Sequence, residues 1–226
     1  SMRWYGDKSL LKYSVSSEKN CTGWYRFMSA PGLDSLSFTA YGDDIRVYVG
    51  GEECRVEHVG TASTGADVYA CKVKEKVQAS VPVLIKMQHR WGYAGGAVWE
   101  TPVKQYCQSG IISVGDWAKV DGLNSYSGGI RYAKNIRLDS KYKNHTIELD
   151  LKNVVSTAEV YLNGKSLGVR FAKPWTFDLT GHLTDGTNRL EILVYNTLGN
   201  IYTAIPTVYR KESVSGLLEE PCLIIR

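Results

Sequence analysis

Three stretches of this chain occur twice, in the same order, and that repetition restricts the possible folds more than any other feature. Ile45-Arg46-Val47-Tyr48-Val49-Gly50-Gly51 returns as Ala158-Glu159-Val160-Tyr161-Leu162-Asn163-Gly164, 113 positions on from Gly51 to Gly164. Gly23-Trp24-Tyr25-Arg26-Phe27 returns as Gly128-Gly129-Ile130-Arg131-Tyr132, 105 positions on from Arg26 to Arg131. Gly96-Ala97-Val98-Trp99-Glu100-Thr101-Pro102-Val103 matches Gly216-Leu217-Leu218-Glu219-Glu220-Pro221-Cys222, 119 positions on from Pro102 to Pro221. The changing separation marks loop insertions in the second copy. A chain of 226 residues has room for two domains of about 110 residues each. The landmarks therefore predict two similar domains, residues 1–113 and 114–226, divided near Ile112 to Asp116.

Each copy reads as β-structure, because its apolar residues alternate with period two and helical period is nearly absent. Leu36, Phe38 and Ala40 fall on one face of 35–41, with hydroxyl residues on the other. In 145–152, Ile147, Leu149 and Leu151 point inward while Glu148, Asp150 and Lys152 meet water. The run 45–49 repeats this pattern, and Leu190, Ile192 and Val194 belong to a more central strand. Between runs, Asn163-Gly164 accepts positive φ at both central positions of a tight hairpin, and Gly50-Gly51 serves equally well. Short strands separated by turns, with no helical segments between them, predict an all-β chain of tandem antiparallel β-sandwiches. A barrel is the less favoured arrangement.

Several function classes lose their support at this stage. Lys+Arg 27 against Asp+Glu 23 leaves a net charge of only +4, too little for strong steering by nucleic acid. No apolar run reaches the roughly 18 residues of a membrane span, and the start lacks the apolar core of a signal peptide. The histidines are isolated and no C-x-x-C occurs, so zinc is not expected. Of the five cysteines, Cys54 and Cys71 flank a hairpin and suit a bridge in an oxidising compartment; otherwise all are buried thiols. Acyl, phosphoryl and hydride transfer lack their usual motifs. Glycosidic cleavage needs two converging carboxylates, but Asp43-Asp44, Glu52-Glu53 and Glu219-Glu220 are sequence neighbours whose side chains diverge on an extended strand. Nothing selects a distant pair such as Glu100 with Asp116. Asp43 and Asp44 are candidate ligands for a structural calcium ion, with a plain polar turn as the alternative. No other cofactor is expected.

Aromatic residues beside glycine suggest a different chemistry. Arg90-Trp91-Gly92-Tyr93-Ala94-Gly95-Gly96-Ala97-Val98-Trp99 reads as a loop after a buried strand, and Lys173-Pro174-Trp175-Thr176-Phe177 as a second aromatic connection. An aromatic ring stacks on the apolar face of a pyranose while polar side chains bond its hydroxyls. Trp91, Tyr93, Trp99 and Trp175 are therefore candidate sugar-binding residues. The competing role for each is to plug the end of a sandwich.

Gly115-Asp116-Trp117, Tyr126-Ser127-Gly128-Gly129-Ile130-Arg131-Tyr132, 158–164, Asn188-Arg189-Leu190-Glu191-Ile192-Leu193-Val194-Tyr195-Asn196 and Ser215-Gly216-Leu217-Leu218 carry a more specific likeness. Over about half its length the chain resembles the sugar-binding jelly-roll domain of family 2 glycoside hydrolases and the C-terminal modules of bacterial α-L-rhamnosidases such as family 106. The first copy keeps the frame, with Gly-Gly in place of the Asn-Gly turn. The resemblance implies galactose-binding-like sandwiches accompanying a separate catalytic barrel, which needs about 250 residues of its own. It further implies an oligo- or polysaccharide ligand, a periplasmic or extracellular setting, and polar loop residues lent to the substrate pocket, Asn196 and the segment Arg210 to Ser215, with simple loop structure as their alternative; Tyr202 is a further candidate sugar-binding residue. The favoured expectation is a non-catalytic carbohydrate-binding or accessory portion of a bacterial glycoside hydrolase. The alternatives are an autonomous hydrolase or lyase whose acids converge only on folding, and a cell-surface interaction module without sugar binding.

Overall fold

The computed structural model describes residues 21–93, 95–142, 144–204, 208 and 213–226, and the chain divides into two compact units. The first runs to Ile112 and includes Asp121–Asn124, and the second begins at Ser113 and includes Ser125–Thr203. The architecture is β-sandwich in character, built from antiparallel sheets.

In the first unit, β1 (Thr22–Met28), β7 (Pro82–His89), β3 (Gly42–Val49) and β4 (Glu52–Cys54) lie side by side in that order. The second sheet runs β5 (Val56–Thr61), β6 (Asp67–Lys72), β2 (Leu33–Ala40), β8 (Lys104–Cys107). The period-two pattern places Val47, Val83, Ile85 and Met87 inward from one sheet and Leu36, Phe38 and Cys71 from the other, with Trp99 in the same core. Each such side chain contributes about 1.5–3 kcal/mol on burial.

The second unit has β9 (Gly129–Arg137), β10 (Ile147–Asp150), β11 (Val154–Val155), β12 (Thr157–Leu162), β13 (Lys165–Arg170), β14 (Thr176–Asp178), β15 (Thr187–Tyr195), β16 (Gly216–Leu217) and β17 (Cys222–Ile225). One sheet is ordered β13-β12-β15-β9, another β14-β10-β17, and β11 pairs with β16. A six-residue helix, Gly199–Ala204, follows β15. Read from the hairpin strand outward, β4-β3-β7-β1 and β13-β12-β15-β9 are the same order, and β6-β2-β8 matches β14-β10-β17.

Strand pairing makes the match residue by residue and moves one sequence alignment. Val47 pairs with Ile85 and Ile85 with Tyr25, while Val160 pairs with Ile192 and Ile192 with Tyr132. Tyr25 therefore corresponds to Tyr132, 107 positions on, and Trp24 rather than Arg26 corresponds to Arg131. Aligning the two arginines shifted β1 by two residues, which preserves the face and so escapes detection by alternation alone.

Both hairpins use positive φ at their central pair, Gly50 (60°) with Gly51 (94°) and Asn163 (51°) with Gly164 (81°). β10 is shorter than the alternation 145–152 predicts. Lys152 turns to φ 57° and its amide donates to Asp150 Oδ1 at 2.7 Å, ending the ladder. Cys54 and Cys71 are both buried, as free thiols in contact with each other.

Candidate functional site

Of the residues that sequence reasoning selected, Trp91, Tyr93, Asp43 and Asp44 lie in the first unit beyond the ends of β7 and β2 and at the start of β3. Arg90 organises this end. Its Nη2 donates to Asp43 Oδ1 at 3.0 Å and also to Asp67 Oδ2, while Nη1 donates to the Gly65 carbonyl at 3.1 Å. Asp67 accepts a bond from Thr61 Oγ1 at 2.7 Å and lies 3.0 Å from His58 Nε2. Bonds from Thr61, then Arg90 and His58, hold the Asp67 carboxyl well below the usual carboxylate range. The same pairing, to Asp43 first and then Asp67, raises the Arg90 guanidinium above its ordinary value.

A carboxyl held ionised in this way has no proton to give at neutral pH, so the cluster acts as a clamp on the loop rather than as a general acid. Asp44 accepts from Lys86 Nζ at 2.8 Å, and that contact holds it low as well. Both aspartates are thus engaged by cations of the chain itself. Among the described residues no group of three His, Cys, Asp or Glu side chains is placed to hold a metal ion.

The aromatic candidates separate by burial. Trp91 is 72% exposed, on the turn that the Tyr93 amide closes onto the Arg90 carbonyl at 3.0 Å. Tyr93 stacks on Tyr41 with centroids 4.0 Å apart and planes 9° from parallel, so one of its faces is taken. Trp99 is a correction. Only 4% exposed, it sits edge-on to Tyr25 and Phe38 and has no face for a ligand.

Trp175, in the second unit, is a correction for the same reason, being 6% exposed with its carbonyl accepting from Leu151. Asn196 is a third. Its Oδ1 accepts from Gly128 N at 2.8 Å, and its Nδ2 donates to the Tyr126 carbonyl at 2.8 Å and to Ser215 Oγ at 3.1 Å, so the amide is spent on tying loops together. Asp116 is likewise committed, to the amides of Ala118 and Ser215 at 3.0 Å each. Tyr202 is partly exposed on the short helix. Arg210 lies outside the described residues.

Sequence reasoning missed the outer face of the sheet β1-β7-β3-β4. Here the register sets Arg26, Leu84, Tyr48 and Glu53 in one row, with Trp24, Lys86 and Arg46 in the next. Trp24 is 57% exposed. With Tyr48, Leu84, Pro82, Arg26 and the Gly50-Gly51 turn it lines an open groove of about 540 Å³. The signal was present in the alternation, because Trp24 falls on the polar side of its strand. It became distinct only once pairing aligned Trp24 with Arg131.

No family model matches the chain. A protein of Formosa agariphila named "Putative beta-glucuronidase" is 36% identical over 88 residues, which is 37% of this chain and 8% of that protein. Among solved structures, a rhamnosidase from Novosphingobium sp. PP1Y is 19% identical with a TM-score of 0.45, over 90% of this chain and 23% of that one. An α-L-rhamnosidase of Streptomyces avermitilis, solved with L-rhamnose, is 15% identical with a TM-score of 0.30, over 80% of this chain and 22% of that one. This chain is similar to part of a glycoside hydrolase. It spans only the stated fraction of each relative.

Among the described residues of the first unit, the exposed aromatics are Trp24 in the groove, Trp91 on its turn and Tyr106 on β8. A ring on a rigid sheet loses little entropy when a ligand stacks on it, and a ring on a turn loses more.

Proposed function

We propose that this chain is a carbohydrate-binding accessory portion of a larger glycoside hydrolase, working outside the cytoplasm beside a separate catalytic domain. The observation that carries the reading is the groove on the first sandwich, which Trp24, Tyr48, Leu84 and Pro82 line together. Such a surface matches the alternating apolar and hydroxylated faces of a pyranose. Likeness to a small part of a protein named for glucuronide cleavage fits a module whose partner does the chemistry. Among the described residues, the perturbed carboxylates Asp44, Asp67, Asp139 and Asp178 are all held below their ordinary values, whereas a glycosidase acid needs its value raised.

Affinity electrophoresis across a panel of soluble polysaccharides tests the proposal. At least one should retard the wild-type chain, and Trp24→Ala should weaken that retention about tenfold, the scale of one lost stacking platform. Trp91→Ala should have the smaller effect. Retention by no polysaccharide, or retention indifferent to Trp24→Ala, would overturn the reading.

A further inference from the structure

We infer that the groove of the first sandwich selects a uronic acid residue, with the sugar ring on Trp24 and its carboxylate on the Arg26 guanidinium. The inference rests on the carbohydrate-binding reading of this groove and adds the class of sugar.

Arg26 lies in a setting that no other cation of this face shares. Its register neighbour on β7 is Leu84, flanked by Pro82 and Lys86, and its own strand offers Trp24 and Met28 on the same side. None of these is acidic. Among the described residues Arg26 has no ion-pair or hydrogen-bond partner. By contrast, Lys86 reaches Asp44 at 2.8 Å, and Arg46 reaches the same carboxylate at 3.9 Å. On the corresponding face of the second unit, Arg131 and Arg189 meet Glu191 at 3.6 and 3.4 Å, and an alanine, Ala133, stands where the first unit has Arg26.

The spacing suits one sugar. Residues two apart on a strand stand about 6.7 Å apart on the same face, so a pyranose lying on the Trp24 ring brings its rim to the Arg26 side chain. A uronate carries a planar carboxylate directly on that rim. Guanidinium presents two parallel N–H donors in the matching geometry, a pairing both stronger and more selective than a bond to a neutral hydroxyl. A sulfate ester also offers two oxygens to a guanidinium fork, so sulfated oligomers are the competing ligand that the test has to separate from the uronates.

Titration calorimetry on the whole chain tests this, using oligomers of galacturonate, glucuronate and mannuronate, their methyl esters, and sulfated neutral galacto-oligosaccharides. At least one acid series should bind about tenfold more tightly than its ester. Arg26→Ala should erase that preference and leave ester binding in place, Arg26→Lys should retain part of it, and Trp24→Ala should weaken acid and ester alike. Arg26 and Trp24 face outward, and unchanged thermal unfolding confirms that each variant is folded. Equal binding of acid and ester, a preference that survives Arg26→Ala, or sulfated oligomers binding as tightly as the acid would each overturn the inference. If ester binding still responds to Trp24→Ala in those cases, the groove remains a sugar site and only the uronate assignment falls. Sugar binding indifferent to Trp24→Ala would remove the groove itself.

Discussion

Across β1, β7 and β3 of the first sandwich the outward row reads Arg26, Leu84, Tyr48, and at the same register positions the second reads Ala133, Glu191, Tyr161. Trp24 in the one is Arg131 in the other. These three differences, with the tyrosine kept, reverse the character of the face. Arg131 lies 5.1 Å over the Tyr161 ring and pairs with Glu191, so the second face covers its own aromatic and neutralises its own charge. Among the described residues, the first face leaves Trp24 exposed and Arg26 unmatched. One strand order thus supports a self-satisfied surface in one copy and an open groove in the other, because outward positions on a strand are free of the packing that restrains inward ones.

Inward positions show the opposite economy of change. Tyr25 and Tyr132 hold the same place, and each meets a buried tryptophan: Tyr25 edge-on to Trp99 at 5.0 Å, Tyr132 accepting from Trp117 Nε1 at 2.6 Å. His89 and Asn196 also correspond, 107 positions apart, their amides donating to the carbonyls of Cys21 and Gly128. His89 bonds the Tyr25 hydroxyl at 2.8 Å, and Asn196 bonds loops instead.

The largest effect that would break this correspondence comes from the tryptophans. Trp99→Ala and Trp117→Ala should each lower stability by about 3–5 kcal/mol, the scale for emptying a core of a large aromatic, as read by chemical denaturation. A loss below about 1 kcal/mol at either site would mean that the tryptophan there does not anchor its core. The next concerns pH. Burial pushes the His89 imidazole below its ordinary value of 6.5, so the native chain stays neutral there while the unfolded chain takes up a proton. Stability of the first sandwich should therefore fall as pH drops below about 6.5, and be unaffected by this group above it. Protection factors from amide exchange in β7 should decline between about pH 7 and pH 5.5 while those in β15 hold, since Asn196 does not titrate. His89→Gln should flatten the β7 response, and an equal decline in both strands would remove the distinction. The smallest effect is at the hairpins. Gly50→Asn copies the Asn163-Gly164 turn, and a Cβ there would meet Val81 only at ordinary contact distance, 3.8 Å. It should stabilise by about 0.5 kcal/mol through a stiffer unfolded chain, measurable as a raised denaturation midpoint.

Much of this architecture was legible from residue order. Alternation at 35–41, 45–49 and 190–194 marks strands that form, and Asn163-Gly164 marks a hairpin that closes, because both signals are local. The ligand surface was far less legible. Trp91, Trp99 and Trp175 look alike as aromatics near loops, yet one is exposed and two are core, since enclosure depends on strands distant in sequence. Trp24 was passed over because its partners Leu84 and Tyr48 come from two other strands.

By itself, the sequence determined that the chain is built from strands, which side of each strand is apolar, and where tight turns fall, because period-two polarity and positive-φ residues act over a few neighbours. Tertiary structure alone decided which duplicated positions correspond, which tryptophans keep a free face, and that Arg26 stands beside Trp24 with no partner among the described residues. Those outcomes depend on cross-strand register, and a two-residue shift in register leaves every local pattern intact while changing every neighbour.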